Sequence, residues 1–291
     1  MFDVICSGNL NLDIIFRTNR MPKQYEKHEV KEAFVQLGGS AGNSACWLAN
    51  LGSKVGFLGC VGNDFSGDDQ IDNLKSFGVD TKGISRSDKI TGVATAFSIK
   101  NKKRFVKHAG ANLDKKIDEN YLKKTRHIHL TSNAKEYLTG VINFCKKNNI
   151  SISFDSGSMK PSMKIINQVD IFYANEKELN SLTKCKKLET GMKKLKPKIL
   201  VVGLSGGGCL IKKEEDIIKV ESLGTNAVDL IGAGDAFMAG FIHGYLNNYS
   251  LEKCGRLGVV CSSMCCQTIG PRNKIPIKEE IDAFAVRKKY F

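Results

Sequence analysis

The segment from Asp229 to Asp235 carries the residue types and spacing that most directly suggest chemistry in this chain. It reads Asp-Leu-Ile-Gly-Ala-Gly-Asp and stands directly before an amphipathic helical pattern. The small residues Gly232, Ala233 and Gly234 leave successive backbone N–H groups unobstructed, and with the helix dipole these groups can hold an anion such as a phosphoryl group. Asp235 falls in the first helical turn, where its carboxylate could accept the proton of a hydroxyl that attacks phosphorus. The alternative is an aspartate that is only favoured electrostatically near a helix N-terminus.

Two earlier segments carry groups that suit a ligand rich in hydroxyls. The adjacent glycines Gly38 and Gly39 let a backbone approach a ligand closely, and Asn43 is expected to open a helix where its amide can bond sugar hydroxyls. Asn11 and Asp13 follow the first predicted strand, and ligands of open α/β sheets bind beyond the carboxyl ends of strands. Asp13 would accept hydrogen bonds from vicinal hydroxyls. Taken alone, the glycine pair is an ordinary loop-to-helix junction.

Two further segments could meet a nucleotide. Asn175 and Glu178 lie one helical turn apart after a predicted strand, where they could orient Mg²⁺ through its waters against phosphates. A capped helix start is the alternative. A glycine-rich turn after another buried strand fits neither the Gly-x-Gly-x-x-Gly nor the Walker spacing, and a plain hairpin turn is its alternative. Its candidate nucleotide contacts are Gly203, Ser205, Gly206 and Gly208.

Short runs rich in Val, Ile, Leu or Phe alternate with helical stretches along most of the chain. The predicted strands are residues 3–7, 55–61, 127–131, 151–155, 171–174 and 199–204. The predicted helices are residues 43–51, 68–77, 135–148, 233–246, 251–268 and 277–284. Because each parallel crossover must carry a helix, this alternation predicts an α/β fold, a three-layer, mostly parallel sheet with helices on both faces.

Two stretches depart from this alternation. Residues 12–16 with 29–35, and 92–99 with 104–108, predict strands without intervening helices. They predict a small β-sheet lid, contributed by about residues 12–36 and 91–109, which would exclude water from a phosphoryl-transfer site. An edge hairpin without function is the alternative. No linker or repeat is evident, so residues 1–291 are expected to form a single domain.

The composition restricts the function classes. A formal charge of +14 could indicate nucleic-acid binding, but the lysines are scattered and no zinc-finger, basic-zipper or RNA-binding motif accompanies them. A positive surface also attracts nucleotides and phosphorylated metabolites, so no nucleic-acid partner is expected. The ten cysteines lack Cys-x-x-Cys spacing and suit reduced structural thiols. Without a signal-peptide pattern or a run of about 18 apolar residues, a cytoplasmic protein with no membrane partner is expected.

Together and in this order, these segments resemble the ribokinase-like (PfkB) family of sugar and nucleoside kinases. The most specific match is Asp229-x-x-Gly-x-Gly-Asp-x-Phe237, which is similar to the family's C-terminal signature. Gly38-Gly-x-x-x-Asn43 resembles the N-terminal signature, and residues 61–67 and 110–112 also match. The resemblance runs from residue 3 to about residue 277, nearly the whole chain.

The resemblance implies a role for each matching position. Asp235 would be the catalytic base, and the anion hole would be Gly232, Ala233 and Gly234. The contacts to the acceptor's hydroxyls would be Asn11, Asp13, Gly38, Gly39 and Asn43. Glu178 would organise Mg²⁺ bound with ATP, and Asn175 would contact phosphate. In some members the counterpart of Asp229 helps to hold a monovalent cation such as K⁺, and in several the small sheet supports a homodimer.

The predicted function is MgATP-dependent phosphorylation of a hydroxymethyl group on a sugar or sugar-like acceptor. One alternative is a nucleoside kinase, whose base pocket would be built by lid residues such as Phe97 and Phe105, although these could equally form the core of the lid. Others are a non-catalytic sugar or nucleotide sensor and a basic nucleic-acid binder, but a sensor would need neither Asp235 nor Glu178. The chain departs from the family at its nucleotide strand, which usually ends Thr-x-Gly-x-x-Gly. Gly203 stands here in place of the threonine.

Overall fold

The computed structural model describes residues 1–99, 102–131, 133, 135–157, 159–206 and 208–290. The strands are β1 Val4–Ser7, β2 Asn11–Thr18, β3 Glu32–Gly38, β4 Val55–Gly62, β5 Asp80–Ser87, β6 Gly92–Ile99, β7 Lys102–His108, β8 His127–Thr131, β9 Ser151–Asp155, β10 Ile171–Asn175, β11 Ile199–Gly203, β12 Cys209–Lys213 and β13 Asp216–Val220. The helices are α1 Ser40–Asn50, α2 Phe65–Ser76, α3 Glu119–Leu122, α4 Lys135–Asn148, α5 Met163–Ile166, α6 Glu176–Thr183, α7 Leu188–Lys194, α8 Ala233–Leu246, α9 Leu251–Cys265 and α10 Lys278–Arg287, with a 3-10 helix at Gly110–Asp114.

The larger sheet has nine strands in the order β13-β12-β11-β10-β9-β8-β1-β4-β5. From β11 to β5 the neighbouring strands are parallel, whereas β12 and β13 extend the sheet as an antiparallel hairpin at one edge. Parallel neighbours need long crossovers, and the helices in those crossovers cover the faces of the sheet. The predicted mostly parallel α/β fold is therefore confirmed.

Alternate residues of the buried strands supply two separate cores, one on each face of the large sheet. In β10, Phe172 packs with Phe154 in one core, and its neighbour Tyr173 packs with Phe237 in the other. Successive side chains of a strand point to opposite faces, so burial of both faces requires apolar residues along the whole strand. The carboxyl ends of these parallel strands then lie along one edge, where the polar candidates of the sequence follow them.

The separate small sheet has four strands in the order β3-β2-β6-β7, which confirms that the two stretches without helices pair with each other. Its inner face is defined here as the face that carries Asp13, and the row of Asp13 across the four strands is Gln36, Asp13, Ala94 and Lys107. The next row lies on the outer face because strand side chains alternate. That row consists of Val35, Ile14, Thr95 and Val106.

Some element boundaries differ from prediction. Helix α1 begins at Ser40 rather than at Asn43, because Gly39 already forms its N-cap with φ 98°. Strand β3 begins at Glu32, later than predicted, and α9 ends at Cys265, earlier than predicted. Strands β5, β12 and β13 were not predicted. They lie at or next to the edges of the sheet. Strand β5 is mostly polar, and the apolar runs of β12 and β13 are at most three residues long, too short to indicate a strand.

The structure also shows the environment of the cysteines and the character of the helices. All ten cysteines are free thiols, and all but Cys185 are buried, where they pack as small hydrophobic side chains. Over the described ranges, no helix combines the length and apolar character needed to cross a lipid bilayer.

Candidate active site

The predicted anion hole lies at the start of α8. Gly232 is the N-cap, with a left-handed φ of 82°, and a Cβ at this position would lie 2.3 Å from the Cβ of Pro271. A side chain is therefore excluded both by conformation and by space. Within the described part of the chain, the backbone N–H groups of Gly234 and Asp235 have no hydrogen-bond partner. These free donors at the positive end of the helix dipole can bind an anion.

Asp235 is buried in the first turn of α8, as predicted, and is held by a residue from the other end of the chain. The Asn43 amide donates from Nδ2 to Asp235 Oδ2 at 2.6 Å, and the Ser44 hydroxyl donates to the Asp235 carbonyl at 3.2 Å. Burial raises the pKa of Asp235 to about 6, against the opposing effects of the Asn43 hydrogen bond and the Arg272 charge. The carboxylate is thus fixed in direction and more basic than an exposed aspartate.

Arg272, which sequence analysis missed, orients Asn43. Its guanidinium is buried and donates from Nε to Asn43 Oδ1 at 2.8 Å, and also to Gln70 Oε1 at 3.0 Å and Asn73 Oδ1 at 3.2 Å. A further hydrogen bond of 2.7 Å reaches the Gly38 carbonyl. Because Asn43 Oδ1 accepts from Arg272, its Nδ2 must face Asp235. One buried cation therefore connects the C-terminal segment to the glycine loop before α1, to α1 and to α2.

The predicted acceptor contacts gather around the same loop. Asp13 packs directly on Gly38, where a Cβ would lie 2.1 Å from Asp13 Oδ2, so a side chain at this position would displace the Asp13 carboxylate. Asp13 Oδ1 is buried without a hydrogen-bond partner in the described residues. Burial raises the pKa of Asp13 to about 6, although the charges of Arg272 and Lys107 oppose the shift. Such a carboxylate is ready to accept hydrogen bonds from a ligand.

Asn11 and Asn43 already have partners in this structure. Asn112 Nδ2 donates to Asn11 Oδ1 at 2.9 Å, and Asn112 also exchanges hydrogen bonds with the backbone of Leu10. Asn43 uses its amide for Asp235 and its oxygen for Arg272. Contact of either side chain with an acceptor hydroxyl therefore remains a prediction, and for Asn43 the visible role is to orient Asp235.

Asn175 and Glu178 form a capping box at the start of α6. The Glu178 N–H donates to Asn175 Oδ1 at 3.0 Å, and the Asn175 N–H donates to Glu178 Oε2 at 2.9 Å. This is the capped helix start that the sequence offered as an alternative, and it leaves Glu178 Oε1 outside the box. Capping and a role towards phosphate or magnesium are therefore compatible, because one carboxylate oxygen suffices for the cap.

A cavity of about 480 Å³ connects the predicted nucleotide turn to the anion hole. Its lining comprises all four turn candidates, Asn175 and two residues of the anion hole. The residues that line the cavity include Tyr173, Asn175, Gly203, Gly208, Ala233 and Gly234. The turn and the start of α8, which lie far apart in sequence, therefore face one space that we call the glycine-lined cavity.

The charges of Asp235 and Glu178 act on a third carboxyl group, that of the buried Asp155. Burial, followed by the charges of Asp235 and Glu178, raises the pKa of Asp155 to about 8. Burial also raises the pKa of Glu178. Among the described residues, no group of three or more His, Cys, Asp or Glu side chains is arranged as a metal site. A directly coordinated protein cage is thus not formed by these residues.

Asp229 lies apart from Asp235 and connects two loops. Its Oδ1 accepts from the Ile231 N–H at 3.1 Å and its Oδ2 from the Gly270 N–H at 3.2 Å. It lines a second cavity, of about 1000 Å³, between the small sheet and the segment before α8, together with Ile15 and Phe34 of the inner face. The structure therefore brings together the residues that were predicted as base, anion hole and acceptor loop, with Asp229 at the neighbouring loop.

The phenylalanines offered for a nucleoside base pocket point in opposite directions. Phe97 pairs with Phe16 on the outer face, where their ring centroids are 5.8 Å apart. Phe105 is two residues from Lys107 and therefore shares the inner face with Asp13. The expectation that both could line one base pocket is wrong for Phe97, because strand alternation directs it away.

The residues that sequence analysis missed carry little local signal. Arg272 is a single charge in Ile-Gly-Pro-Arg, and its partner Asn43 lies 229 positions away. Gln70 looks like an ordinary polar residue of an amphipathic helix. Tyr173 reads as one more apolar residue of a buried strand. Only their spatial neighbours distinguish them.

The raised pKa of Asp235 predicts the pH dependence of turnover. If Asp235 is the predicted general base, it must be ionised, so kcat/KM should be lost as the pH falls through about 6 rather than about 4. Asp13 titrates in the same range, so the acid limb should be steeper than one proton allows. Initial rates measured from about pH 5 to pH 9 check this, and an inflection near pH 4 would contradict it.

Comparison with known proteins agrees along nearly the whole chain. The family profile described as pfkB family carbohydrate kinase matches residues 1–278. The chain is 28% identical over 293 residues to the ribokinase of Lactococcus lactis, covering 97% of each chain. It is 26% identical over 288 residues to a nucleoside kinase of Methanothermobacter thermautotrophicus, covering 94% of this chain and 92% of that protein.

A solved structure shares the fold. The ribokinase of Arabidopsis thaliana, determined in complex with ribose and ATP, superposes with a TM-score of 0.90 at 24% identity. The match covers 97% of this chain and 98% of that chain. Both the large sheet and the small sheet are therefore common to the two proteins.

Proposed function

Because the chain belongs to the pfkB family of carbohydrate kinases, we propose that it transfers the terminal phosphoryl group of ATP to the hydroxymethyl group of a sugar or sugar-like acceptor. The observation that carries this proposal is the position of Asp235. Its carboxylate accepts a hydrogen bond from Asn43. Asp235 lies in the first turn of α8, where the N–H groups of Gly234 and Asp235 are free and Gly234 lines the glycine-lined cavity. A base and an anion site in one turn suit attack of a hydroxyl on a phosphoryl group.

In this mechanism Asp235 accepts the hydroxyl proton while the acceptor oxygen bonds to phosphorus and the bond from phosphorus to ADP breaks. The N–H groups of Gly234 and Asp235 stabilise the negative charge on the transferred group. Asp13, beside Gly38, would accept hydrogen bonds from the remaining hydroxyls and fix the direction of attack. The small sheet, whose inner face carries Asp13, would act as a lid that excludes water.

Magnesium would enter with ATP. Mg²⁺ usually keeps several waters and is bound by phosphates and one or two carboxylates, which fits a region without a direct cluster of protein ligands. Glu178 Oε1, outside the capping box, would hold the ion through water, and Asn175 would face phosphate at the cavity wall. The ion would neutralise phosphate charge during transfer. Asp229 would help to hold a monovalent cation such as K⁺ at the neighbouring loops.

The acceptor is a free sugar in the first proposal and a nucleoside in the second. The second is supported by the nucleoside kinase among the relatives and by Phe105, which lies 58% exposed on the inner face and could contact a base. Release of ADP with a panel of pentoses, hexoses, inositol and nucleosides tests both. If nucleosides are the substrates, Phe105→Ala should raise their KM about tenfold, whereas Phe97→Ala should not. No acceptor-dependent ADP release across the panel would contradict both proposals.

The outer face of the small sheet supports a homodimer. The row across its four strands is almost apolar, and Val35 and Val106 are 66% and 65% exposed. We expect Val35→Lys to convert a dimer to a monomer, since a charge at an apolar interface must be desolvated. Light scattering after gel filtration measures the mass. Val286→Lys, at an equally exposed valine of α10, is the matched control. A wild-type monomer would refute the proposal.

A further inference from the structure

Tyr173 places its hydroxyl between the nucleotide turn and the anion hole. A Cβ at Gly203 would lie 2.5 Å from the Tyr173 hydroxyl oxygen, and a Cβ at Gly234 would lie 3.5 Å from it. The ring is fixed by stacking on Phe237, with centroids 5.5 Å apart and an interplanar angle of 29°. The hydroxyl therefore lies over the backbone of both glycines, at the wall of the glycine-lined cavity.

The hydroxyl is available to a ligand. No hydrogen bond joins it to another atom of the described residues, although the side chain is only 8% exposed and the residue lines the cavity. Burial, with the charges of Asp155, Glu178 and Asp235, raises the pKa of Tyr173 well above its ordinary value. The phenol therefore stays protonated and offers an O–H donor that is open to a ligand in the cavity.

We propose that the Tyr173 hydroxyl donates a hydrogen bond to the terminal phosphoryl group of ATP, an inference that rests on the proposed kinase function. The nucleotide turn and Gly234 both line the glycine-lined cavity. A triphosphate that binds in this cavity and reaches Asp235 therefore passes the Tyr173 hydroxyl. Stacking on Phe237 fixes the donor before the reaction, which is the condition for effective stabilisation of a developing charge. The donor is a neutral group, so it adds no charge beside the three carboxyls.

The same contact explains why glycine occupies position 203. Tyr173 of β10 pairs with Val201 of β11, and Gly203 lies two residues further along β11. A side chain at position 203 would contact the phenol. Kinases of the family that the chain resembles usually carry a threonine at this position. In this chain, Tyr173 of β10 places its hydroxyl in the space that a threonine side chain at position 203 would occupy. The tyrosine hydroxyl therefore takes the place of the threonine hydroxyl as a donor.

The competing explanation is that Tyr173 is only a packing residue of the core. Tyr173→Phe separates the two, because it removes the oxygen and keeps the ring on Phe237. We expect kcat/KM for ATP to fall about tenfold to a hundredfold, as for loss of one hydrogen bond to a charged group. The affinity for a non-hydrolysable triphosphate should fall, whereas the affinity for ADP, which lacks the terminal phosphoryl group, should stay within about twofold. Tyr245→Phe, which removes a phenol hydroxyl on α8 outside the cavity lining, is the matched control.

A double-mutant cycle with Gly203→Ala tests the contact itself. The added methyl displaces the phenol, so Gly203→Ala should reduce kcat/KM in the wild-type background and reduce it less in the Tyr173→Phe background. A Tyr173→Phe enzyme within about twofold of the wild type, alongside an inactive Asp235→Asn enzyme, would overturn the role of Tyr173 and leave the kinase mechanism intact. Normal turnover by Asp235→Asn would instead overturn the mechanism.

Discussion

Asp235→Asn should lower the turnover number about a hundredfold to ten-thousandfold, the usual loss for removal of a general base. The substitution preserves shape and leaves an oxygen that can still accept from Asn43 Nδ2, so the start of α8 should not move. It removes only the ability to take the hydroxyl proton. Coupled measurement of ADP release gives the rate, and calorimetric titration with ADP should give an affinity within about threefold of the wild type.

A matched control for this variant is Asp72→Asn. Asp72 is an exposed carboxylate of α2, paired with Lys75, and it lies outside the machinery described above. Its variant should turn over at the wild-type rate, since exposed ion pairs contribute little. If Asp235→Asn also turned over at that rate, another group would have to accept the proton.

Arg272→Met should damage both stability and the state of the catalytic base. The variant leaves Asn43 Oδ1 and Gln70 Oε1 without the Arg272 donor, and each buried acceptor without a partner costs about 1–3 kcal/mol. Gly38 O loses its shorter hydrogen bond and keeps the one of 3.4 Å from Gln70 Nε2. Loss of the desolvated charge offsets part of this cost, so we expect the free energy of unfolding to fall by about 3 kcal/mol. Urea denaturation measures that change.

The pH profile separates a positioning role of Arg272 from a purely structural one. The positive charge lowers the pKa of both Asp235 and Asp13, so its removal should raise both values and move the acid limb of kcat/KM to higher pH. Arg272→Lys keeps the charge and should shift the limb less. Arg256→Met, at a half-exposed arginine of α9, is the control for stability and for the pH profile. An unchanged limb in Arg272→Met would limit Arg272 to packing.

The parts of the site that sequence reasoning could predict are local. Gly232, Gly234 and Asp235 lie within one helix start, so their spacing predicted a carboxylate beside free N–H groups, and the role of that carboxylate as a base stays a prediction. Asn175 and Glu178 lie one helical turn apart. This spacing suits both a capped helix start and a pair that orients Mg²⁺ against phosphates. Strand β5 was missed because its residues are mostly polar, and β12 and β13 were missed because their apolar runs are at most three residues long. The alternation of the central strands nevertheless sufficed to predict the fold.

The parts that could not be predicted depend on contacts between distant segments. Arg272 reaches Asn43 because the chain returns after α9 to cover the glycine loop, and no periodicity encodes that return. The orientations of Phe97 and Phe105 depend on strand register, because a shift of one residue reverses every side chain. Tyr173 gains its position only when β10 and β11 pair and bring Gly203 beside it.

The position of the phosphate on the product tests the central claim most directly. The acceptor that gives the fastest ADP release would be converted with MgATP and examined by phosphorus–proton correlation spectroscopy. We predict a phosphomonoester whose phosphorus couples to the two protons of a CH₂ group, and in the same reaction time Asp235→Asn should form at most about 1% of the amount that the wild type forms. Phosphate on a secondary hydroxyl, or release of inorganic phosphate alone, would contradict transfer to a hydroxymethyl group.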